Sequence, residues 1–480
     1  MNHGTARVLS VACVILIAFR ADTVPAAEAG AALAPQTASR DTRMKLCREI
    51  DTAAYRGTFP CLGDLNGDGR VDFLLYRQGP QTTPGYLVAL DHEGNRLWER
   101  GDASITTHAP DGDYREPALR GIALIFDVDR DGRSEVVAEV WEDGRPMLYV
   151  LEGATGKVKH SRPSPFDLQV RGGRRSRCHP VARIAYLRGK DEPPAIVLKY
   201  GASGRVPCRA VALDATLATL WDLEVDRNAM AHVPTVADVD ADGREEIVLG
   251  TMLIDENGKP LWQKKARHHA DCTGIIELAS RPEKGILIGI CNTGPAFCLA
   301  HDGKTLWEKT TQEVSHGQGI WAGNFIEEEP GQEAIILKSG HVGDFITVRG
   351  HDGAPLAAFK HHDEFGGYPD FPCVVNWQSR EVQSLWIPVD RRLVDGRGQV
   401  VAELGPDEER VRKGVQWGTT KASVAAQAFA LDLCGDARDE LVIYQPYGGE
   451  KIFIFTQPDS DGREKPYVHQ PAAYNIRSYF

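Results

Sequence analysis

Several features are scarce or missing in this chain, and each excludes something. Apart from one run, Val8–Phe19, no stretch is apolar enough to enter a bilayer. No long helical periodicity occurs, which sets helical bundles aside. Lys and Arg number 55 against 67 Asp and Glu, a net charge of −12, so a nucleic-acid surface of clustered basic residues is excluded. An anionic substrate would need local help from Arg, Lys or a metal ion. There is no C-x-x-C, no vicinal Cys pair, no G-x-S-x-G elbow, no Gly-rich phosphate loop and no H-E-x-x-H. What is plentiful is glycine, 48 of 480 residues, which favours many tight turns and an all-β fold.

The N-terminus reads as an export address. Arg7 precedes the apolar run, and Ala27-Glu28-Ala29 is an A-x-A cleavage pattern. Residues 1–29 are therefore expected to be a signal peptide and 30–45 a flexible leader, with the protein periplasmic or extracellular. An oxidising compartment permits disulfides. Cys178 with Cys208, or Cys272 with Cys291 or Cys298, are the pairs considered.

Residues 46–480 are filled by a repeat. One pattern is Asp-rich: DLNGDGRVD (64–72), DVDRDGRSE (127–135), DVDADGREE (238–246) and DLCGDARDE (432–440). Degenerate copies lie at 181–198, 273–290, 320–337 and 373–388. Each is followed by an apolar strand, a turn and a Leu-Trp or its equivalent, from YLVALDHEGNRLW (86–98) to KIFIFTQPDSDGREK (451–465). Spacings run from 39 residues (Asp238 to Glu277) to 63 (Asp64 to Asp127). Two hairpins per repeat of this length make a four-stranded blade. The expectation is a single eight-bladed β-propeller, with a seven-bladed ring or a β-helix as alternatives. Trp98, Trp221, Trp262 and Trp307 recur at one repeat position and are read as packing between blades.

In D-x-[DN]-x-D-G-x-x-[DE], the side chains at positions 1, 3, 5 and 9 can converge on one cation, and Gly at position 6 allows the sharp turn. An all-oxygen set suits calcium. The expected ligands are Asp64, Asn66, Asp68 and Asp72; Asp127, Asp129, Asp131 and Glu135; and Asp238, Asp240, Asp242 and Glu246. In the fourth loop, Cys434 and Ala437 break the pattern, leaving Asp432, Asp436 and Glu440 as weak ligands or turn caps. Clamping the first hairpin of a blade is the expected job.

Blade geometry puts the Asp turns and the Gly-Trp hairpins on one face. The entries to the first strands and the loops between strands two and three lie on the other. The entries carry Arg120, His179, His232, His269 with Asp271, His316 with Gln318, and Tyr368 with Asp370. Lys199, Tyr200, Asn292, Lys338, His341, Asp344 and Tyr447 join them from the second set of loops. A ring of histidines at the channel mouth can bind a sugar, hold a metal or supply a general base. It can equally do no more than hydrogen-bond exposed strand ends.

The Asp-loop blades resemble FG-GAP/VCBS propeller repeats. More specifically, SHGQGIWAGNFIEEEPGQEAII (315–336), ALDLCGDARDELVIY (430–444) with IFIFTQ (452–457), the ending AYNIRSYF (473–480) and His232 before the third loop resemble secreted rhamnogalacturonan lyases. That resemblance implies an eight-bladed calcium propeller that cleaves a uronic-acid polysaccharide by β-elimination. It places His316 and His232 in the site, and the chemistry of the neighbouring loops suggests Lys338 or His341 as base and Arg120 on the uronate carboxylate. The remaining entry and loop residues, His179, Lys199, Tyr200, His269, Asp271, Gln318, Tyr368 and Asp370, would contact substrate. Gln318-Gly319 stands where that pattern has an acidic residue. The competing expectation is a non-catalytic calcium propeller that binds a glycan or protein. A quinoprotein-like dehydrogenase is a third, disfavoured by the missing Cys pair. A monomer without nucleic-acid partners or a membrane span is expected.

Overall fold

The structure is a computed structural model. It describes residues 42–462 except 56–57, 80–82, 106–120, 166–168, 172–173, 177–179, 202–207, 227–228, 280, 293, 339–342, 362–371, 380, 406–410, 412–426, 445–448 and 461. The apolar run Val8–Phe19 lies outside these residues.

Eight four-stranded antiparallel sheets follow one another. Blade 1 comprises Phe59–Gly63, Asp72–Gln78, Pro84–Leu90 and Arg96–Gly101. Blades 2 to 7 begin at the strands Ala123–Phe126, Val181–Ala185, Met230–Ala237, Ala270–Glu277, Gly319–Gly323 and Cys373–Val375. Blade 8 begins at Gln427–Leu431. These first strands pack against one another from blade to blade and are the inner ones. No helix among the described residues is long and apolar enough to cross a membrane.

The hydrophobic core is divided into eight clusters, each shared by two adjacent blades. The cluster joining Phe429 and Ile454 of blade 8 to Phe73 and Leu90 of blade 1 closes the ring. Burial on both faces explains why the second strands read as unbroken apolar runs, such as EIVLG at Glu246–Gly250. Fourth strands, covered on one face, alternate, as in Pro355–Lys360.

Ring closure differs from the sequence expectation. The 451–465 segment was expected to carry the last hairpin of blade 8. Instead Lys451–Thr456 is the third strand, and the fourth is the N-terminal strand Lys45–Asp51, paired from Lys45↔Thr456 to Asp51↔Lys451. Sharing one blade between both ends of the chain means that opening the ring breaks a ladder of hydrogen bonds. Residues 42–45, counted with the flexible leader, are also tied down. Met44 N donates to Glu403 O at 2.7 Å, and Glu403 N donates to Thr42 O at 2.9 Å.

The tryptophans are packing elements, as expected. Trp98, Trp262 and Trp307 each donate from Nε1 to a carbonyl in the next blade's hairpin, Gly153, His301 and Gly350, at 2.6–2.7 Å, and Trp221 does so to Glu256 at 3.1 Å. The hairpin glycine at each receiving turn lies against the indole. A Cβ on Gly258, which has φ +76°, would sit 2.7 Å from the Trp221 ring.

The four blades without an Asp-rich turn use another device. Their turns are held by a side chain from just ahead of the second strand of the following blade. Glu245 accepts from Tyr186 N, Gln332 from Glu277 N, Gln383 from Asn324 N and Asp439 from Asn376 N, at 2.5–2.8 Å. These turns are thus tied to the neighbouring blade.

Candidate functional site

On the turn face, the acid at loop position 9 opens the second strand and caps the turn. Asp72 Oδ2 accepts from Leu65 N and Asn66 N at 2.9 and 3.2 Å, and Glu246 Oε2 accepts from Val239 N at 3.0 Å. Burial, the largest effect, pushes both carboxyls up to about 7. Asp72 Oδ1 and Asp238 Oδ1 are buried without a hydrogen-bond partner. Ionised oxygens turned inward with no donor fit a hard cation, so the loops of blades 1 and 4 pass the test for calcium. In blade 1, His92 joins Asp68 and Asp72, a neighbour the sequence did not single out. Glu333 of blade 6 is also pushed up to about 7 by burial, with Oε1 unpartnered.

The loops of blades 2 and 8 differ. Lys159 lies among Asp129, Asp131 and Glu135. In blade 8, Glu440 Oε1 accepts from Thr456 Oγ1 at 2.9 Å, and Asp436 pairs with Arg438 at 2.7 Å. Asp432 accepts from Gly435 N and Ala437 N. Ala437 has φ +73°, the left-handed backbone that Gly69, Gly132 and Gly243 adopt at the same loop position. Asp432, Asp436 and Glu440 therefore act as turn caps.

On the opposite face, the inner strands of blades 4, 5 and 6 bring three histidines onto one carboxylate. His232 Nε2 and His269 Nε2 each lie 3.1 Å from Asp271 Oδ1, and His316 Nε2 lies 2.7 Å from Asp271 Oδ2. The rings of His232 and His269 meet edge to face at 5.1 Å. Asp271 is 3% exposed. Burial alone would raise its pKa, but the bonds from His232, His269 and His316 hold it well below the usual carboxylate range. His316 is the most open of the three, with 24% of its side chain exposed.

Local backbone builds this cluster. Asp271 occupies a β-bulge: Ala270 pairs with Ile290 and Cys272 with Gly289, leaving Asp271 unpaired. His232 lies in an irregular stretch between the pairs Met230↔Gly250 and Thr235↔Val248. The His316 segment docks on blade 5 because Gly317 has no side chain. A Cβ there would lie 2.7 Å from Gly289 Cα, and Gly317 N donates to Ile290 O at 2.9 Å. Lys338 O receives Ser315 N at 2.8 Å, fixing the same segment from blade 6. Cys272 carries a free thiol whose Sγ donates to Gly317 O at 3.4 Å, so it pairs with neither Cys291 nor Cys298.

Of the expected site residues, the structure brings His232, His269, Asp271 and His316 together, with Gln318 and Lys338 beside them. Lys199 and Tyr200 overturn their expectation: both are 0% exposed. They lie on a strand enclosed by its neighbours. Lys199 Nζ donates to His232 O at 2.8 Å, and Tyr200 donates to Glu139 at 3.2 Å. Lys199 positions the His232 backbone and does not face substrate. Arg120, His179, His341, Tyr368, Asp370 and Tyr447 lie outside the described residues. Two features were missed: Cys291, which stands close to Asp271 and His316, and the buried pair His361–Asp390 at 3.3 Å.

His232, His269 and Asp271 form one group near enough to hold a metal ion, and Asp271, Cys291 and His316 form a second. The two imidazoles and one carboxylate of the first group suit a borderline divalent cation better than calcium.

Residues 143–354, which include this whole cluster, match the model of the rhamnogalacturonan lyase family 11 C-terminal domain. Over this segment the chain is similar to rhamnogalacturonan lyases. It is 26% identical over 358 residues to the rhamnogalacturonan endolyase YesW of Bacillus subtilis, covering 64% of this chain and 55% of that protein. It is 22% identical to the exolyase YesX of the same organism, covering 65% and 56%. The chain thus spans about half the length of the curated relatives it matches. The crystal structure of a Bacillus licheniformis rhamnogalacturonan lyase superposes with TM-score 0.62 at 19% identity, over 86% of this chain and 73% of that one. Such a likeness at this identity carries the fold.

Proposed function

We propose that this propeller is an exported lyase that cleaves a uronic-acid polysaccharide of the rhamnogalacturonan kind by β-elimination. The observation that carries the reading is the three-histidine, one-aspartate cluster on the inner strands, inside the segment that matches the lyase model. A base removes the proton at C5 of the uronate. The C4–O bond breaks, its electron pair leaves with the glycosidic oxygen, and a C4=C5 double bond forms.

His316 is assigned as the base. When its Nε2 hydrogen bonds to Asp271, Nδ1 keeps the lone pair, and the Asp271 carboxylate stabilises the imidazolium that forms. His232 and His269 hold Asp271 ionised. Lys338, next to the His316 segment, supplies positive charge for the uronate carboxylate. A cation bound at the cluster would supply the same neutralising charge. Calcium is assigned to the turn-face loops of blades 1 and 4, where it stabilises blades and takes no part in the reaction.

The test is incubation with pectic and other uronate polymers, following unsaturated products by ultraviolet absorbance. Product that disappears in His316→Ala supports the lyase. Retention of a glycan by the wild type with no turnover on any uronate polymer would replace this reading with a binding propeller.

A further inference from the structure

The Asp turn of blade 2 carries an internal cation. In all eight blades, the outer strand skips one residue in its pairing with the third strand. In blade 2, Val150 pairs with His160 and Leu151 with Val158, so Lys159 is the skipped residue. The residues at the same place elsewhere are Leu97, Leu220, Leu261, Leu306, Leu356 and Val401, and Cys47 in blade 8. Six blades put an aliphatic side chain where blade 2 puts an ammonium.

That ammonium lies where the motif expects a metal. Lys159 Nζ is 2.6 Å from Asp129 Oδ2, 3.2 Å from Asp131 Oδ2 and 2.8 Å from Glu135 Oε1, which are loop positions 3, 5 and 9. Glu135 is 1% exposed, and its inward oxygen is taken up by this bond. Blade 4 has the same motif with Leu261 at the skipped position. Among the described residues, no Lys or Arg pairs with Asp238, Asp240, Asp242 or Glu246, and Asp238 Oδ1 is left buried without a partner.

We propose that Lys159 replaces calcium in the blade 2 turn, so that this loop neither needs nor binds the ion that blades 1 and 4 take. Three carboxylates hold a tethered charge that cannot diffuse away, and calcium could enter only by expelling it from all three. Asp129, Asp131 and Glu135 then serve the ammonium in place of an ion. The inference rests on calcium occupying the sister loops and is independent of the lyase reading.

The experiment counts calcium per chain by equilibrium dialysis for the wild type, Lys159→Leu, Asp131→Asn and Asp240→Asn. Lys159→Leu restores the residue of the other blades and is expected to bind one more calcium than the wild type. Asp131→Asn is expected to leave the wild-type count unchanged, and Asp240→Asn to lower it by one. Equal counts for wild type and Lys159→Leu overturn the proposal. If Lys159→Leu does not fold, Asp131→Asn decides: an unchanged count supports the proposal, and a loss of one ion overturns it. An unchanged count in Asp240→Asn fails the calcium assignment of blade 4, a separate result.

Discussion

Buried carboxylates on the two faces of the propeller behave in opposite ways. On the turn face, Asp72 and Glu246 are buried with no Lys or Arg among the described residues paired to them, and burial lifts both to about 7. On the mouth face, Asp271 is as deeply buried, yet three imidazoles hold it well below the ordinary range. Residue type and depth are shared; the neighbours differ. The turn face leaves buried carboxylate oxygens without a donor, whereas the mouth face carries its own hydrogen-bond donors.

The largest effect expected to sharpen this contrast is on catalysis. Replacing Asp271 with Asn removes the charge that stabilises imidazolium, and the rate of unsaturated-product formation should fall by about 10²–10⁴-fold, the span typical of general acid–base contributions. An unchanged rate would assign the mouth carboxylate to structure alone.

Next in size is the loss of cations from the turn face. Excess chelator should lower the melting temperature by on the order of 5 °C, corresponding to release of a few kcal/mol of binding free energy in a chain of this size. A melting curve that does not move breaks the turn-face half of the comparison.

The pH dependence of the chelated protein should follow. Asp72 and Glu246 have folded pKa values of about 7, above their values of 3.8 and 4.5 when unperturbed. The folded state then binds more protons than the unfolded one, so stability falls as pH rises from about 4 to 7. Asp271 has the opposite sign: its contribution is present above 3.8 and is lost only as pH drops through its depressed folded value. Melting temperatures measured across pH with and without chelator should show the first slope only when the cation is removed.

The smallest effect is local to blade 8. Ala437→Gly relieves a left-handed residue in the imperfect turn and should raise stability by up to about 1 kcal/mol, read from the denaturant midpoint.

Much of the site was legible because propeller repeats fix where each motif falls. Counting residues before each inner strand placed His232, His269 and His316 at one level of three adjacent blades. That Asp271 gathers all three was not legible, because a single-residue bulge turns it inward and a one-residue slip changes the face of a strand. Lys199 was misread for the same kind of reason: its position was right, but the neighbouring blade covers it. Leu261 and Lys159 occupy one structural position, yet only pairing register shows that both lie over an Asp turn.

The sequence by itself determined the all-β class, the eight repeats, the two faces and the Asp turns, since these depend on local periodicity and turn chemistry. The tertiary structure alone decided which turns lack a neutralising partner, which carboxylate three histidines share, and that the N-terminal strand closes blade 8. Those are contacts between residues far apart in the chain. Their energies depend on distance and burial, which the order of residues does not contain.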